Sequence, residues 1–87
     1  MPRYLVERTF PGPPDVAVEA VVERNADDAV TWMHSYVVEG TGTMLCLYEA
    51  PSPEAIRRAA RHCDLPVDRI TQVRVLDPHS YTERRSS

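Results

Sequence analysis

Lysine is absent from this 87-residue chain, whose ten basic side chains are all arginines and never form a run longer than a pair. Thirteen acidic residues outnumber them, and the formal net charge is -3. Nucleic acids and anionic lipid surfaces are bound through concentrated positive charge. The balance of charge therefore predicts a protein that binds neither nucleic acid nor a membrane surface.

Long hydrophobic runs are also missing. The apolar stretches are only a few residues long, and Arg3, Glu7 and Arg8 interrupt the N-terminus. A membrane-spanning helix needs roughly 20 consecutive apolar residues, and a secretory signal needs an apolar segment of about 7–15. We therefore expect a cytoplasmic protein with neither a signal peptide nor a membrane span.

Cysteine is scarce, and the common catalytic motifs are not found. Cys46 and Cys63 fall in different predicted elements, without a Cys-x-x-Cys pair or a zinc-finger spacing, which is typical of free thiols in a reducing compartment. The chain has no glycine-rich phosphate loop, nucleophile elbow or paired-carboxylate arrangement. These absences leave no motif that indicates an enzyme.

The residues that are present predict one α+β domain over 1–78, followed by a polar tail at 79–87. Ser52-Pro53-Glu54 combines an N-cap, a proline at the first helical position and a first-turn acid, so it begins a helix. Glu39–Gly42 contains two glycines that suit a hairpin reversal. Patterning predicts strands at 3–9, 30–38, 43–50 and 70–76, and helices at 15–29 and 53–63.

This order of elements, β-α-β-β-α-β, is the ferredoxin-like arrangement, a four-stranded antiparallel sheet with two helices on one face. Alternation along the strands separates two sets of side chains. The aliphatic set is predicted to form the core under the helices: Leu5, Met33, Val37, Leu45, Leu47, Val73 and Val75. The other set is predicted to form the open face: Tyr4, Val6, Arg8, Trp32, His34, Tyr36, Met44, Cys46, Tyr48, Gln72 and Arg74.

An open face rich in aromatic residues is unusual for a monomer, so we expect a homodimer that closes face to face. A three-residue turn over 39–41 would place His34 opposite Cys46 and Trp32 opposite Tyr48. The open face would then present an imidazole and a thiol side by side.

Four blocks of the chain resemble a family of small nickel-binding proteins that was formerly a domain of unknown function. The likeness extends from Arg3 to Val75, and the blocks occupy 4–8, 32–37, 46–57 and 65–70. They read Tyr-Leu-Val-Glu-Arg, Trp-Met-His-Ser-Tyr-Val, Cys-Leu-Tyr-Glu-Ala-Pro-Ser-Pro-Glu-Ala-Ile-Arg and Leu-Pro-Val-Asp-Arg-Ile. The resemblance implies a ferredoxin-like dimer that binds nickel ions, for sequestration or detoxification, rather than a catalyst.

The resemblance does not specify the ligands, which we predict from their chemistry. Nickel(II) accepts imidazole, thiolate and carboxylate donors. His34 and Cys46 are the first two candidates, and Glu49 and Glu7, or a residue of the second subunit, would complete the site. Surface sites on His62, His79 or the acidic residues are equally open.

Three other interpretations of the same face stay open. His34 is also compatible with a hydrogen-bonded interface histidine, and Cys46 with a small buried hydrophobic residue. A pocket on the His34 face would suit a small-molecule-binding protein or an enzyme of the dimeric α+β barrel type, with His34 as general base. The domain would otherwise serve dimerisation alone.

Overall fold

Two helices pack against one face of an antiparallel sheet in the computed structural model, which describes residues 1–12 and 16–79. The elements follow the predicted β-α-β-β-α-β order, and the ferredoxin-like fold is confirmed. They are β1 (Arg3–Thr9), α1 (Val18–Asp27), β2 (Thr31–Val37), β3 (Thr43–Glu49), α2 (Pro53–Cys63) and β4 (Arg69–Val73). Of the predicted tail at 79–87, only His79 belongs to the described residues. Nowhere in 1–12 or 16–79 is there a helix long and apolar enough to cross a membrane.

Helix α2 begins and ends where its local sequence predicts. The Ser52 hydroxyl accepts a hydrogen bond of 3.2 Å from the Ala55 amide, and Pro53 occupies the first turn. At the other end Asp64 takes the left-handed conformation (φ 55°), while the Leu65 amide donates to the Ala60 carbonyl at 2.9 Å. Such a bond across a left-handed residue satisfies a carbonyl that the last turn leaves without a partner.

Helix α1 is shorter than predicted and packs less closely. It begins at Val18, and Ala17 at its N-cap offers no side-chain hydrogen bond. The predicted cap, Asp15, lies outside the described residues. Val21 is buried, whereas Val18 and Val22 are about half exposed. The predicted apolar stripe of three valines therefore contributes one residue to the interior.

The strands are ordered β2-β3-β1-β4, and all neighbouring pairs are antiparallel. The prediction of which face is buried is wrong. Tyr4 and Val6 of β1 pack with the helices and are buried, together with Met44, Cys46 and Tyr48 of β3. Of the predicted core set, Met33, Val37 and Val75 are exposed, and Leu5, Leu45 and Val73 are half-buried on the open side. Leu47 also lies on the open side, but it is buried, as predicted.

Side-chain volume explains the reversal. Helix α2 presents Ala55, Ala59 and Ala60 to the sheet, and these small side chains leave space above the strands. Protein interiors are close-packed, so long side chains must fill that space. Tyr4 and Tyr48 do so, and they are only 5% and 2% exposed. In β1 and β3, the set that contains the tyrosines is therefore the buried set.

The hairpin between β2 and β3 has a four-residue loop instead of the predicted three-residue turn. The Val38 amide donates to the Thr43 carbonyl at 3.0 Å, which leaves Glu39–Gly42 as the loop. Gly40 has a positive φ of 78°, which glycine adopts without strain. One additional loop residue shifts the pairing of the adjoining strands by one position.

A close approach of two backbone segments holds this loop to the end of β1. The Phe10 amide donates to the Gly42 carbonyl at 2.8 Å. A Cβ atom at Gly42 would lie 2.2 Å from the Phe10 carbonyl oxygen, so no other residue fits without movement of the backbone. Gly42 is required here for its lack of a side chain.

Candidate functional site

The sheet face turned away from the helices, here called the open face, carries the candidate site. Its side chains come from all four strands and combine leucines with arginine–glutamate pairs. Cross-strand pairing places on it His34 and Tyr36 from β2, Leu45, Leu47 and Glu49 from β3, Arg3, Leu5 and Glu7 from β1, and Thr71 and Val73 from β4.

His34 reaches this face through an irregularity in β2. The shifted hairpin pairs His34 with Leu47 and Ser35 with Cys46. A β-bulge between Trp32 and His34 then restores the predicted pairing of Trp32 with Tyr48 further along the strand. Bulges insert one extra residue and re-aim the side chains beside it.

The bulge itself is held by side chains. The Trp32 indole N–H donates to the Ser35 hydroxyl at 2.7 Å, and its ring stacks on Tyr48 with centroids 6.3 Å apart. Trp32 therefore packs toward the helices, while His34, two positions later, lies on the opposite side of the sheet.

The predicted juxtaposition of His34 and Cys46 is wrong. Cys46 lies between Val6 and Ser35 in the ladder, is 1% exposed and packs in the core beneath the helices. The sheet separates it from His34. Both cysteines are free thiols, as predicted, and the burial of Cys46 fits its interpretation as a small hydrophobic residue.

The imidazole of His34 is exposed and has no hydrogen-bond partner among the described residues. The ring meets the edge of Tyr36 at a centroid distance of 5.4 Å and an angle of 85°. This contact orients the ring without occupying either nitrogen. Both nitrogens are therefore available to a ligand.

Glu49 is the closer of the two predicted carboxylates. It lies two positions beyond Leu47, the cross-strand partner of His34, so His34 and Glu49 are diagonal neighbours. Diagonal positions on adjacent strands are about 7–8 Å apart, within reach of long side chains. One Glu49 oxygen accepts a hydrogen bond of 3.1 Å from Arg3 Nε, which balances its charge.

Glu7 lies farther from His34. It is on β1, across β3 from His34, and its cross-strand partner is Leu45. Its carboxylate is 3.9 Å from Arg69 Nε, a loose and exposed ion pair. Within one chain, His34 and Glu49 therefore form the nearest pair of donors among the predicted residues.

The described residues of one chain do not complete a metal site. Within 1–12 and 16–79, no three histidine, cysteine, aspartate or glutamate residues are grouped so that they could hold a metal ion. The open face offers one imidazole and one neighbouring carboxylate, whereas nickel in a protein needs further ligands. The role of His34, Cys46, Glu49 and Glu7 as ligands stays a prediction.

Arg8 is a buried residue whose importance the sequence did not reveal. It is 2% exposed, yet no carboxylate of the described residues pairs with it. Its guanidinium donates to the Pro66 carbonyl at 2.6 Å and to the Tyr48 hydroxyl at 3.0 Å. Burial raises the pKa of Tyr48, and the charge of Arg8 opposes that rise. The alternation Tyr4-Val6-Arg8 is the only signal that places it inside.

A second polar cluster joins the two helices. Asp28, at the C-cap of α1, accepts a hydrogen bond of 3.1 Å from Arg58 Nε, and its other oxygen lies 2.9 Å from His62 Nδ1. His62 was a candidate for a surface site. Its Nδ1 contact with Asp28 connects α2 to the end of α1, and a surface site at His62 stays a prediction.

Comparison with known proteins gives one consistent result. The sequence profile of the family described as "Nickel responsive protein SCO4226-like" matches residues 4–73. The crystal structure of SCO4226 from Streptomyces coelicolor A3(2) superposes with a TM-score of 0.69 and 19% identity, covering 86% of this chain and 99% of that one. Curated proteins gave no match. At this identity the superposition supports the fold, and the profile confirms the resemblance seen in the sequence.

Proposed function

This chain belongs to the SCO4226-like family of nickel-responsive proteins, and from that premise we propose that it is a homodimeric nickel-binding protein. The observation that carries the proposal is the exposed His34 beside Glu49 on an apolar sheet face. The described residues of one copy supply too few donors for a site, and a second copy facing it would supply the rest.

The composition of the open face supports dimerisation. Leu5 and Leu45, both half-buried, form an apolar centre above the buried Leu47, and Tyr36, which is 61% exposed, extends it along β2. Sheets that pack face to face lie about 10 Å apart and bury such side chains between them. A domain of this size also gains stability from a partner, because it buries only roughly 60–65% of its unfolded surface alone.

The ion pairs on this face suit a shared site. Arg3 with Glu49 and Arg69 with Glu7 leave the sheet surface close to neutral, so two copies approach without strong repulsion. Imidazole and carboxylate are both good donors for nickel(II). His34 and Glu49 of each copy would form the centre, and Glu7 would extend it, whereas Cys46 is left out because it is buried on the other side.

Metal binding is tested by calorimetric titration of metal-free protein with nickel chloride. We expect the variants His34→Ala and Glu49→Gln to lose nickel affinity by about 10–100-fold, the range seen when the immediate surroundings of a metal are disturbed. His79→Ala is the matched control, since it removes an exposed imidazole outside the open face. A nickel affinity that His79→Ala abolishes and His34→Ala preserves would show that the metal binds elsewhere.

Dimerisation is tested separately by light scattering on a size-exclusion column. Leu45→Glu places a charge at the centre of the open face and should yield monomers. Val22→Glu is the control, because Val22 is an exposed apolar residue on α1, 49% accessible and outside the open face. A monomeric parent protein, or a dimer that only Val22→Glu disrupts, contradicts the proposed interface.

The absence of a catalytic motif favours storage of the ion over chemistry on it. Sequestration or detoxification requires only that the protein bind nickel and release it slowly. A nickel-sensitive growth assay with the parent protein and His34→Ala would measure this role directly.

A further inference from the structure

A small cleft lined by arginines lies at the end of α2, where the chain turns toward β4. Its volume is about 270 Å³. Ala60, Leu65 and Val67 contribute apolar surface, and Arg57, Arg61, Asp68 and Arg69 complete the lining. Arg57 and Arg61 belong to α2, whereas Arg69 begins β4. The tertiary fold, and not helical spacing alone, therefore brings the three arginines together.

Much of the positive charge of this cleft is not balanced by ion pairs among the described residues. Arg57 and Arg61 are four residues apart on α2 and therefore neighbours on its surface, where like charges repel. In the part of the chain that the structure describes, neither forms an ion pair, whereas Arg58 between them binds Asp28. The protein as a whole is acidic, so an excess of basic residues does not account for the cluster.

Two acids lower the net charge of the cleft, but neither pairs with Arg57 or Arg61. Asp68 accepts a hydrogen bond from the Thr9 hydroxyl, and its own amide donates to the Glu7 carbonyl at 2.8 Å. Glu7 lies 3.9 Å from Arg69, at the limit of an ion pair. Arg61 stands in the last turn of α2, where the helix dipole favours a cation, but that effect does not extend to Arg57 or Arg69.

From this arrangement we infer that the cleft is a binding site for a small multivalent oxyanion, such as a phosphate ester or a polycarboxylate. Guanidinium groups hold phosphate and carboxylate oxygens with paired hydrogen bonds, and arginine is the residue best suited to this recognition. The apolar lining would contact the carbon skeleton of the ligand. The volume, slightly below the roughly 300–1,000 Å³ of drug-sized sites, limits the ligand to a small metabolite. Binding of an oxyanion in this cleft would require neither nickel nor a second copy of the chain.

The test uses pyrophosphate as the phosphate probe and citrate as the carboxylate probe, each titrated calorimetrically into the full chain at fixed ionic strength. We expect one of them to bind, and the arm that binds assigns the chemistry. Arg57→Gln and Arg61→Gln should each weaken this binding about tenfold, the loss expected for one charge-assisted hydrogen-bonding group.

Arg74→Gln is the matched control. It removes the same charge from an exposed arginine beyond the far end of β4, about 16 Å along the strand from Arg69. Equal weakening by Arg74→Gln would show general attraction of anions and overturn the inference, as would the absence of binding by both probes. Urea unfolding of each variant, compared with the parent protein, checks that the substitutions leave the fold intact.

Discussion

The buried contact between Arg8 and Tyr48 provides the sharpest test of how this fold is stabilised. Each side chain is 2% exposed, and the guanidinium donates to the tyrosine hydroxyl at 3.0 Å. The substitution Tyr48→Phe removes that hydroxyl and keeps the ring, over which the guanidinium carbon lies at 5.7 Å. The cation–π contact therefore survives, and only the hydrogen bond is lost.

The expected loss is about 2 kcal/mol in the free energy of unfolding. A hydrogen bond to a charged group contributes roughly 1.5–3 kcal/mol, and the guanidinium keeps the Pro66 carbonyl as its remaining partner. The Nε of Arg8 is already buried without a hydrogen-bond partner among the described residues. No further acceptor is therefore at hand to replace the lost Tyr48 hydroxyl. In a domain of this size the loss corresponds to a fall in melting temperature of about 8–16 °C.

A double-mutant cycle isolates this interaction. Arg8→Met removes the buried charge and the donor to the Tyr48 hydroxyl, so it also destabilises. In the double variant both partners are gone, and replacing a buried polar pair by apolar groups is often close to neutral. We expect the double variant to be more stable than the sum of the two single losses by at least about 1 kcal/mol.

The assay is urea unfolding followed by the fluorescence of Trp32, the single tryptophan, at one fixed protein concentration. Tyr4→Phe is the control, since Tyr4 is a buried tyrosine of β1 whose hydroxyl makes no hydrogen bond within the described residues. We expect it to change stability by less than about 0.5 kcal/mol. A Tyr48→Phe variant as stable as Tyr4→Phe, or an additive cycle, would refute the stabilising role of the Arg8–Tyr48 hydrogen bond.

Three further outcomes are expected. Gly42→Ala should cost about 1–3 kcal/mol in urea unfolding, because the new Cβ would lie 2.2 Å from the Phe10 carbonyl oxygen; an unchanged midpoint would contradict that contact. Ser52→Ala should lower the free energy of unfolding by about 1 kcal/mol in thermal melts, because the helix cap is lost. A variant as stable as the parent protein would show that the Ser52 hydroxyl does not stabilise α2. Burial raises the pKa of the Cys63 thiol above its ordinary 9.0, so the folded state keeps its proton to higher pH and stability declines as pH rises past 9.0. In thermal melts across that pH, Cys63→Ala should reduce the alkaline loss of stability. An unaltered loss would show that the Cys63 thiol is not its cause.

Much of the architecture follows from local features of the sequence. The Ser52-Pro53-Glu54 start of α2, the glycine-containing loop at 39–42 and the order of strands and helices all appear in the structure. These features act within a few residues of one another, because caps, breakers and periodicity depend on the backbone nearby. Family membership was likewise evident from the blocks between Arg3 and Val75 and is confirmed by the match to 4–73.

The candidate site depended on tertiary structure. Alternation separates the two faces of a strand but does not show which face is buried. Tyr4 and Tyr48 fill the interior because the alanines of α2 leave space above the strands. One extra loop residue then moved His34 opposite Leu47, and a bulge kept Trp32 opposite Tyr48. His34 and Cys46 were consequently separated by the thickness of the sheet.

The sequence by itself therefore determined the elements, their order and the family. Only the tertiary structure decided the buried face, the register, and the partners of Arg8. The physical reason is that element formation is governed by short-range backbone preferences, whereas the choice of face and register depends on filling a volume shared by residues far apart in the chain.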